Sequence, residues 1–202
     1  MFSNFFKVTI ALLPLLCLGC LQTSAQGRQA QLKALFDTLG QRNNLNGCVL
    51  IMDRGKVLLQ TALGSAGDGK ERLLTNESIF EIGSSTKGFT AMGIMQLKEK
   101  ALLSYEDSPG KFFPELHYPG VRIKHLLSHT SGIEDFLAWT EQDIDVSRIH
   151  SNADIIQKLS EKNRPAVFTA GEGVRYSNTN YLLLASIIEL ASGMPFDEYL
   201  RD

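Results

Sequence analysis

The chain is poor in cysteine, has no excess of basic residues, and holds no apolar run long enough to span a bilayer. Of its three cysteines, Cys17 and Cys20 lie in an N-terminal apolar stretch, and only Cys48 stands in the body of the chain. A single thiol there makes no internal disulfide, so a packed core has to carry stability. Between Gly47 and Val49 at the start of an apolar run, Cys48 reads as a small buried hydrophobe. With 20 Lys and Arg against 22 Asp and Glu, the formal net charge is -2 and the basic residues are scattered. No field exists to hold a phosphate backbone, which argues against a nucleic-acid partner. The apolar run from Val8 to Leu21 falls short of the about 20 residues a spanning helix needs.

Three motifs are also missing. No serine lies in Gly-x-Ser-x-Gly, so the nucleophile elbow of the α/β-hydrolases is absent. Thr86 precedes Lys87 where a phosphate-binding loop requires glycine. His125 and His129 have the i, i+4 spacing of a metal-binding pair, but Leu126 stands where a zincin has its catalytic Glu and no third ligand is evident. Neither a metal nor another cofactor is expected.

What is present begins with a targeting segment. Lys7, the apolar run after it and Thr23-Ser24-Ala25 match a leader spanning 1–25, cut before Gln26. The alternative is lipid attachment at Cys20 after Gly19, which would add a membrane anchor, although Cys17 replaces the usual aliphatic residue of that signal. Both readings imply export to the periplasm or the extracellular space.

In the remaining part, 26–202, Leu32, Leu35, Phe36 and Leu39 mark one helix face with Gly40 as its stop. Cys48 to Met52 and Val57 to Leu63 form a hairpin turned at Asp53-Arg54-Gly55-Lys56. The stretch from Phe89 to Leu97 is apolar nearly all round and predicts a deeply buried helix opening near Ser84. Ser151 with Asp154 forms a capping box for a helix from about Asn152. Leu182 to Ala191 is a further apolar helix ended by Gly193, and Pro195 starts another. Helix, hairpin, then mostly helices, without βαβ alternation, gives an α+β class in which a two-stranded sheet still lacks partners.

The strongest chemical signal is Gly83-Ser84-Ser85-Thr86-Lys87. Residues three apart on a helix share a face, so the Lys87 amine can reach the Ser84 hydroxyl and activate it if burial or positive neighbours depress its basicity. Backbone N–H groups at the helix start can then stabilise an oxyanion. The plain alternative is that Ser84 is only a helix cap. A second signal is Arg175-Tyr176-Ser177-Asn178-Thr179-Asn180-Tyr181, placed in a loop before the apolar helix. A tyrosine there can carry a proton and Asn178 can orient a carbonyl or the lysine; the alternative is a turn and capping segment. Trp139, Phe136 and Tyr105 read as core or rim rather than as cleft lining.

Taken together, Gly83-Ser84-x-x-Lys87 and Tyr176-Ser177-Asn178 resemble the paired motifs of the penicillin-recognising serine hydrolases, in the class C β-lactamase, DD-peptidase and esterase branch. Phe80 to Ala91, His125 to Ile133 and Tyr176 to Glu189 are similar to that branch as well. The resemblance implies a β-lactamase/transpeptidase-like fold with a helical subdomain and an antiparallel sheet, the sheet incomplete in this chain. It implies acylation of Ser84, with Lys87 as proton acceptor or electrostatic partner, Tyr176 as second proton shuttle and Asn178 as substrate-orienting amide. It makes His129 to Gly132 a structural turn after a short helix, with Gly132 as the stop. The substrate would be a β-lactam, a peptidoglycan-derived peptide or a small ester. That family carries a third motif, Lys-Thr-Gly or His-x-Gly, on a later strand, which this chain does not reach; the expectation is the N-terminal part of such a domain. A non-catalytic envelope binding protein and an inactive remnant are the competing readings.

Overall fold

The computed structural model describes residues 27–42, 45–67, 72–140, 142–145, 147–148 and 150–201. The expected leader and Cys20 lie outside the described residues. The chain divides into two compact units, one ending at Glu81 and one beginning at Ile82.

In the first unit a helix, α1, covers 27–41 and continues past Gly40. A Cβ on Gly40 would sit 2.9 Å from Leu63 Cδ2, so this glycine permits a close approach rather than stopping the helix. Strands β1 (Gly47–Asp53) and β2 (Lys56–Leu63) pair antiparallel, with Gly47 opposite Leu63 and Asp53 opposite Lys56. Arg54 (φ 49°) and Gly55 (φ 76°) both take left-handed backbone in the two-residue turn. That pair of positive φ values matches the twist of the strands it joins. Arg28 forms an ion pair with Asp53, tying α1 to the hairpin end. Cys48 departs from expectation: it is exposed, and its thiol donates to the Thr75 carbonyl at 3.1 Å. Strand alternation places its side chain on the open face, which composition alone does not specify.

The second unit is helical. A 3-10 turn (Gly83–Ser85) runs into α2 (Thr86–Glu99), followed by α3 (Ile123–Leu127), α4 (Asn152–Lys162), α5 (Asn178–Ser192) and α6 (Phe196–Tyr199). The centre of the core is α5, whose Leu183, Leu184, Ile187 and Ile188 are fully buried. Ile94 and Leu97 of α2, Ile123 and Leu126 of α3, and Ile155, Ile156 and Leu159 of α4 belong to the same cluster. Each such side chain contributes roughly 1.5–3 kcal/mol by leaving water. The capping box expected at Ser151 and Asp154 opens α4, and Gly193 in the left-handed region ends α5.

The helix buried all round is therefore α5, not α2. Phe89, Met92 and Met95 of α2 remain 52%, 57% and 49% exposed. A helix that is apolar on every side carries no period to say which face is covered. Here α5 takes the face bearing Gly93, where an added Cβ would meet Ile188 Cδ1 at 2.9 Å. Gly93 touches Ile188, and Lys87 reaches Asn178, so the two helices run parallel with their N-termini together. Trp139 is buried in the core, and Phe136 and Tyr105 pack against it, as expected for core and rim.

Candidate active site

Ser84 is the second residue of the 3-10 turn, and Lys87 lies on the first turn of α2. The i, i+3 spacing holds in space: Lys87 Nζ donates to Ser84 Oγ at 3.3 Å. Tyr176 arrives from a segment 92 residues away, and its Oη lies 2.7 Å from Ser84 Oγ. Lys87 Nζ also donates to Asn178 Oδ1 at 2.8 Å. All four residues singled out from the sequence are thus brought together. One placement differs, since Asn178 is the first residue of α5 rather than part of a preceding loop.

The Tyr176 segment is positioned by backbone pairing. Gly132 O accepts from Val167 N–H, Thr130 O from Gly171 N–H and His129 O from Arg175 N–H, each at 2.9 Å. This ladder delivers the chain to Tyr176. Gly132 sits at φ +72°, and a Cβ there would lie 2.5 Å from Phe168 O. Its glycine is required by that close approach and not as the stop of α3. His129 holds the left-handed conformation just after α3, with φ 57°.

Asp135 was not recognised from sequence, although it builds the site. One carboxylate oxygen accepts from Leu137 N–H and caps the 3-10 turn Phe136–Ala138; the other accepts from Asn178 Nδ2 at 2.9 Å. The Asn178 amide is thereby held with its oxygen toward Lys87. Thr179 fastens the start of α5 to the same loop, donating to Glu134 O and accepting from Phe136 N–H. The only sequence signal for Asp135 was a short polar residue before an apolar triplet, the usual signature of a cap.

The electrostatics favour negative charge at the centre. Two helix N-termini meet there, each carrying partial positive charge. The Lys87 side chain, as hydrogen-bond donor, and the Ser84 hydroxyl hold the Tyr176 phenol below its ordinary value. Lys87 Nζ lies 5.0 Å from the Tyr176 ring centroid and 5.6 Å from that of Tyr181. Burial pushes the Tyr181 phenol the other way, and its hydroxyl donates to Leu127 O.

The two histidines of the i, i+4 pair each engage a backbone N–H through Nδ1: His125 that of Arg122, His129 that of Ser177. Among the described residues no group of His, Cys, Asp and Glu is arranged to hold a metal ion.

The family described as "Beta-lactamase" matches residues 32–202. A penicillin-binding protein of Bacillus subtilis is 41% identical over 176 residues, which cover 87% of this chain and 39% of that one. The crystal structure of a penicillin-binding protein from Bacillus halodurans superposes with a TM-score of 0.71 at 28% identity, over 82% of this chain and 51% of that one. A D-amino acid amidase from Ochrobactrum anthropi superposes with a TM-score of 0.63 at 25% identity, over 76% and 42% of the two chains. The chain thus spans 39% of the length of the curated Bacillus subtilis relative. With the family match extending through hairpin, Ser-x-x-Lys turn and Tyr-Ser-Asn segment alike, the chain belongs to the beta-lactamase family and has the β-lactamase/transpeptidase fold.

Proposed function

We propose that this chain carries the acyl-transfer centre of a serine hydrolase. The observation that carries the reading is the placement of Ser84 Oγ 2.7 Å from Tyr176 Oη and 3.3 Å from Lys87 Nζ. A charged lysine has only donors, so its bond to Ser84 occupies an oxygen lone pair, and the serine proton is free to pass along the 2.7 Å contact once the Tyr176 phenol is ionised and can only accept. With its phenol held below the ordinary value, Tyr176 is suited to accept that proton as Ser84 Oγ attacks a carbonyl carbon. The C–N or C–O bond of the substrate then breaks, Tyr176 returns the proton to the leaving group, and water later releases the acyl group. Lys87 acts as the electrostatic partner, and Asn178 orients both Lys87 and the substrate amide.

The Ser84 N–H supports the developing oxyanion. It lies ahead of the first bond of its turn, which Ser85 N–H makes to Ile82 O at 3.1 Å. The relatives named for penicillin binding and for D-amino acid amide cleavage favour an amide carbonyl, as in a β-lactam or a cell-wall peptide, over a small ester. The N-terminal leader read from the sequence would bring the protein to the compartment where such peptides lie. Activity and substrate of a protein as long as these relatives belong to this proposal.

The test is incubation with benzylpenicillin followed by intact-mass and peptide analysis. A covalent adduct on Ser84, absent in Ser84→Ala, is expected. No adduct, or one on another residue, overturns the reading.

A further inference from the structure

His129 lies outside the catalytic four, yet it touches the Tyr176 segment at every level. Its carbonyl accepts Arg175 N–H at 2.9 Å, its Nδ1 accepts Ser177 N–H at 3.2 Å, and its ring centroid lies 4.5 Å from that of Tyr176 and 5.2 Å from that of Tyr181. Tyr176 is itself 51% exposed, so little else grips its ring. The residues before and after it are both bonded to His129.

The direction of these bonds assigns the ring proton. A backbone N–H can only donate, so Nδ1 facing Ser177 is unprotonated and the proton of the neutral ring is on Nε2. The neighbouring network agrees in sense. Ile133 N–H donates to Ser131 Oγ at 3.0 Å, and Ser131 Oγ–H donates to Asn180 Oδ1 at 2.6 Å. This leaves Asn180 Nδ2 to donate to His129 Nδ1 at 3.3 Å. Ser131 and Asn180 are both fully buried, so turning the Asn180 amide would set its oxygen against the unprotonated Nδ1, while a proton on Nδ1 would face the Ser177 N–H, each a mismatch away from water.

We propose that His129, with its ring proton on Nε2, is the positioning residue for Tyr176, and that protonation of Nδ1 releases the tyrosine from Ser84. The inference rests on the acyl-transfer reading for its consequence, but not for its geometry. The titratable groups facing the ring are Lys87 from α2, Asp135 from the loop after Gly132, Tyr176, and Tyr181 from α5. Burial and Lys87 favour the neutral ring, Asp135 opposes them, and the net effect lowers the histidine below its ordinary value. The neutral state therefore persists further into acid than in a free histidine. Positioning is complete above the ordinary value and is lost as pH falls through the lowered one.

Two substitutions separate the parts played by the ring. His129→Asn places an acceptor oxygen where Nδ1 stands, and asparagine tolerates the left-handed backbone at this position. His129→Phe keeps a ring between the tyrosines and removes the acceptor. The test combines 15N NMR of the His129 ring in the unsubstituted chain with 19F NMR of 3-fluorotyrosine at position 176 and the rate of Ser84 acylation by benzylpenicillin. The expected results are an unprotonated Nδ1 at neutral pH and a Tyr176 signal that changes in acid together with His129 protonation. His129→Phe should slow acylation about 10- to 100-fold, while His129→Asn keeps it within a few-fold. A proton on Nδ1 at neutral pH, or a Tyr176 signal indifferent to the His129 titration, overturns the proposal. Both NMR results are independent of acylation: failure of Ser84 to react would refute the acyl-transfer reading and leave this one standing. If His129→Phe does not fold, the NMR titration and His129→Asn still decide.

Discussion

Asp135 accepts from the Asn178 amide nitrogen at 2.9 Å, and so holds the amide in place with its oxygen toward Lys87. Without the carboxylate the amide keeps only its bond from Lys87 and is free to swing with the lysine out of position. Asp135→Ala is therefore expected to lower Ser84 acylation about 10- to 100-fold. Loss of the cap on the Phe136–Ala138 turn should cost only about 1 kcal/mol. Acylation kinetics beside a urea melt check both; a loss of rate no larger than the loss of folded protein would contradict the assigned role.

The depressed Tyr176 phenol has a specific pH signature. Lys87 is the first cause of the depression, so Lys87→Met should move the phenol titration up toward the ordinary value of about 10. The sign follows from charge: the ammonium stabilises phenolate, and its removal makes the proton harder to lose. In the unsubstituted chain the alkaline rise of the acylation rate should accordingly begin at lower pH than a free phenol would give. Titrating 3-fluorotyrosine at position 176 by 19F NMR in both chains measures the difference.

Gly132 anchors the ladder that carries Tyr176. Gly132→Ala combines a strained backbone at φ +72° with a Cβ 2.5 Å from Phe168 O, and should cost at least about 1–3 kcal/mol. Gly83→Ala meets nothing within 4 Å and carries only the backbone strain. Denaturant unfolding of the two variants should rank Gly132→Ala as the more damaging.

Much of the site was legible because its signals are local. Ser84 and Lys87 follow from helical spacing, and the hairpin and α4 follow from turn and capping residues a few positions apart. Tyr176 and Asn178 became legible only as a pair with Ser84 and Lys87, since each alone fits a turn. What stayed hidden depends on chain segments far apart in sequence. Asp135 matters because a loop folds back on the start of α5. His129, three residues ahead of Gly132, takes the left-handed position directly after α3, and its carbonyl starts the pairing with 167–175. The exposed Cys48 and the half-exposed face of α2 make the same point: composition says what a surface can bury, not what comes to cover it.

The most direct test of the account is the single-turnover acylation of Ser84 by benzylpenicillin in the unsubstituted chain and in Tyr176→Phe. Removing one oxygen 2.7 Å from the nucleophile removes its proton acceptor while leaving the ring in place. The account predicts a fall of about 100- to 10,000-fold, with Ser84 still the residue that slowly reacts. An unchanged rate would contradict it.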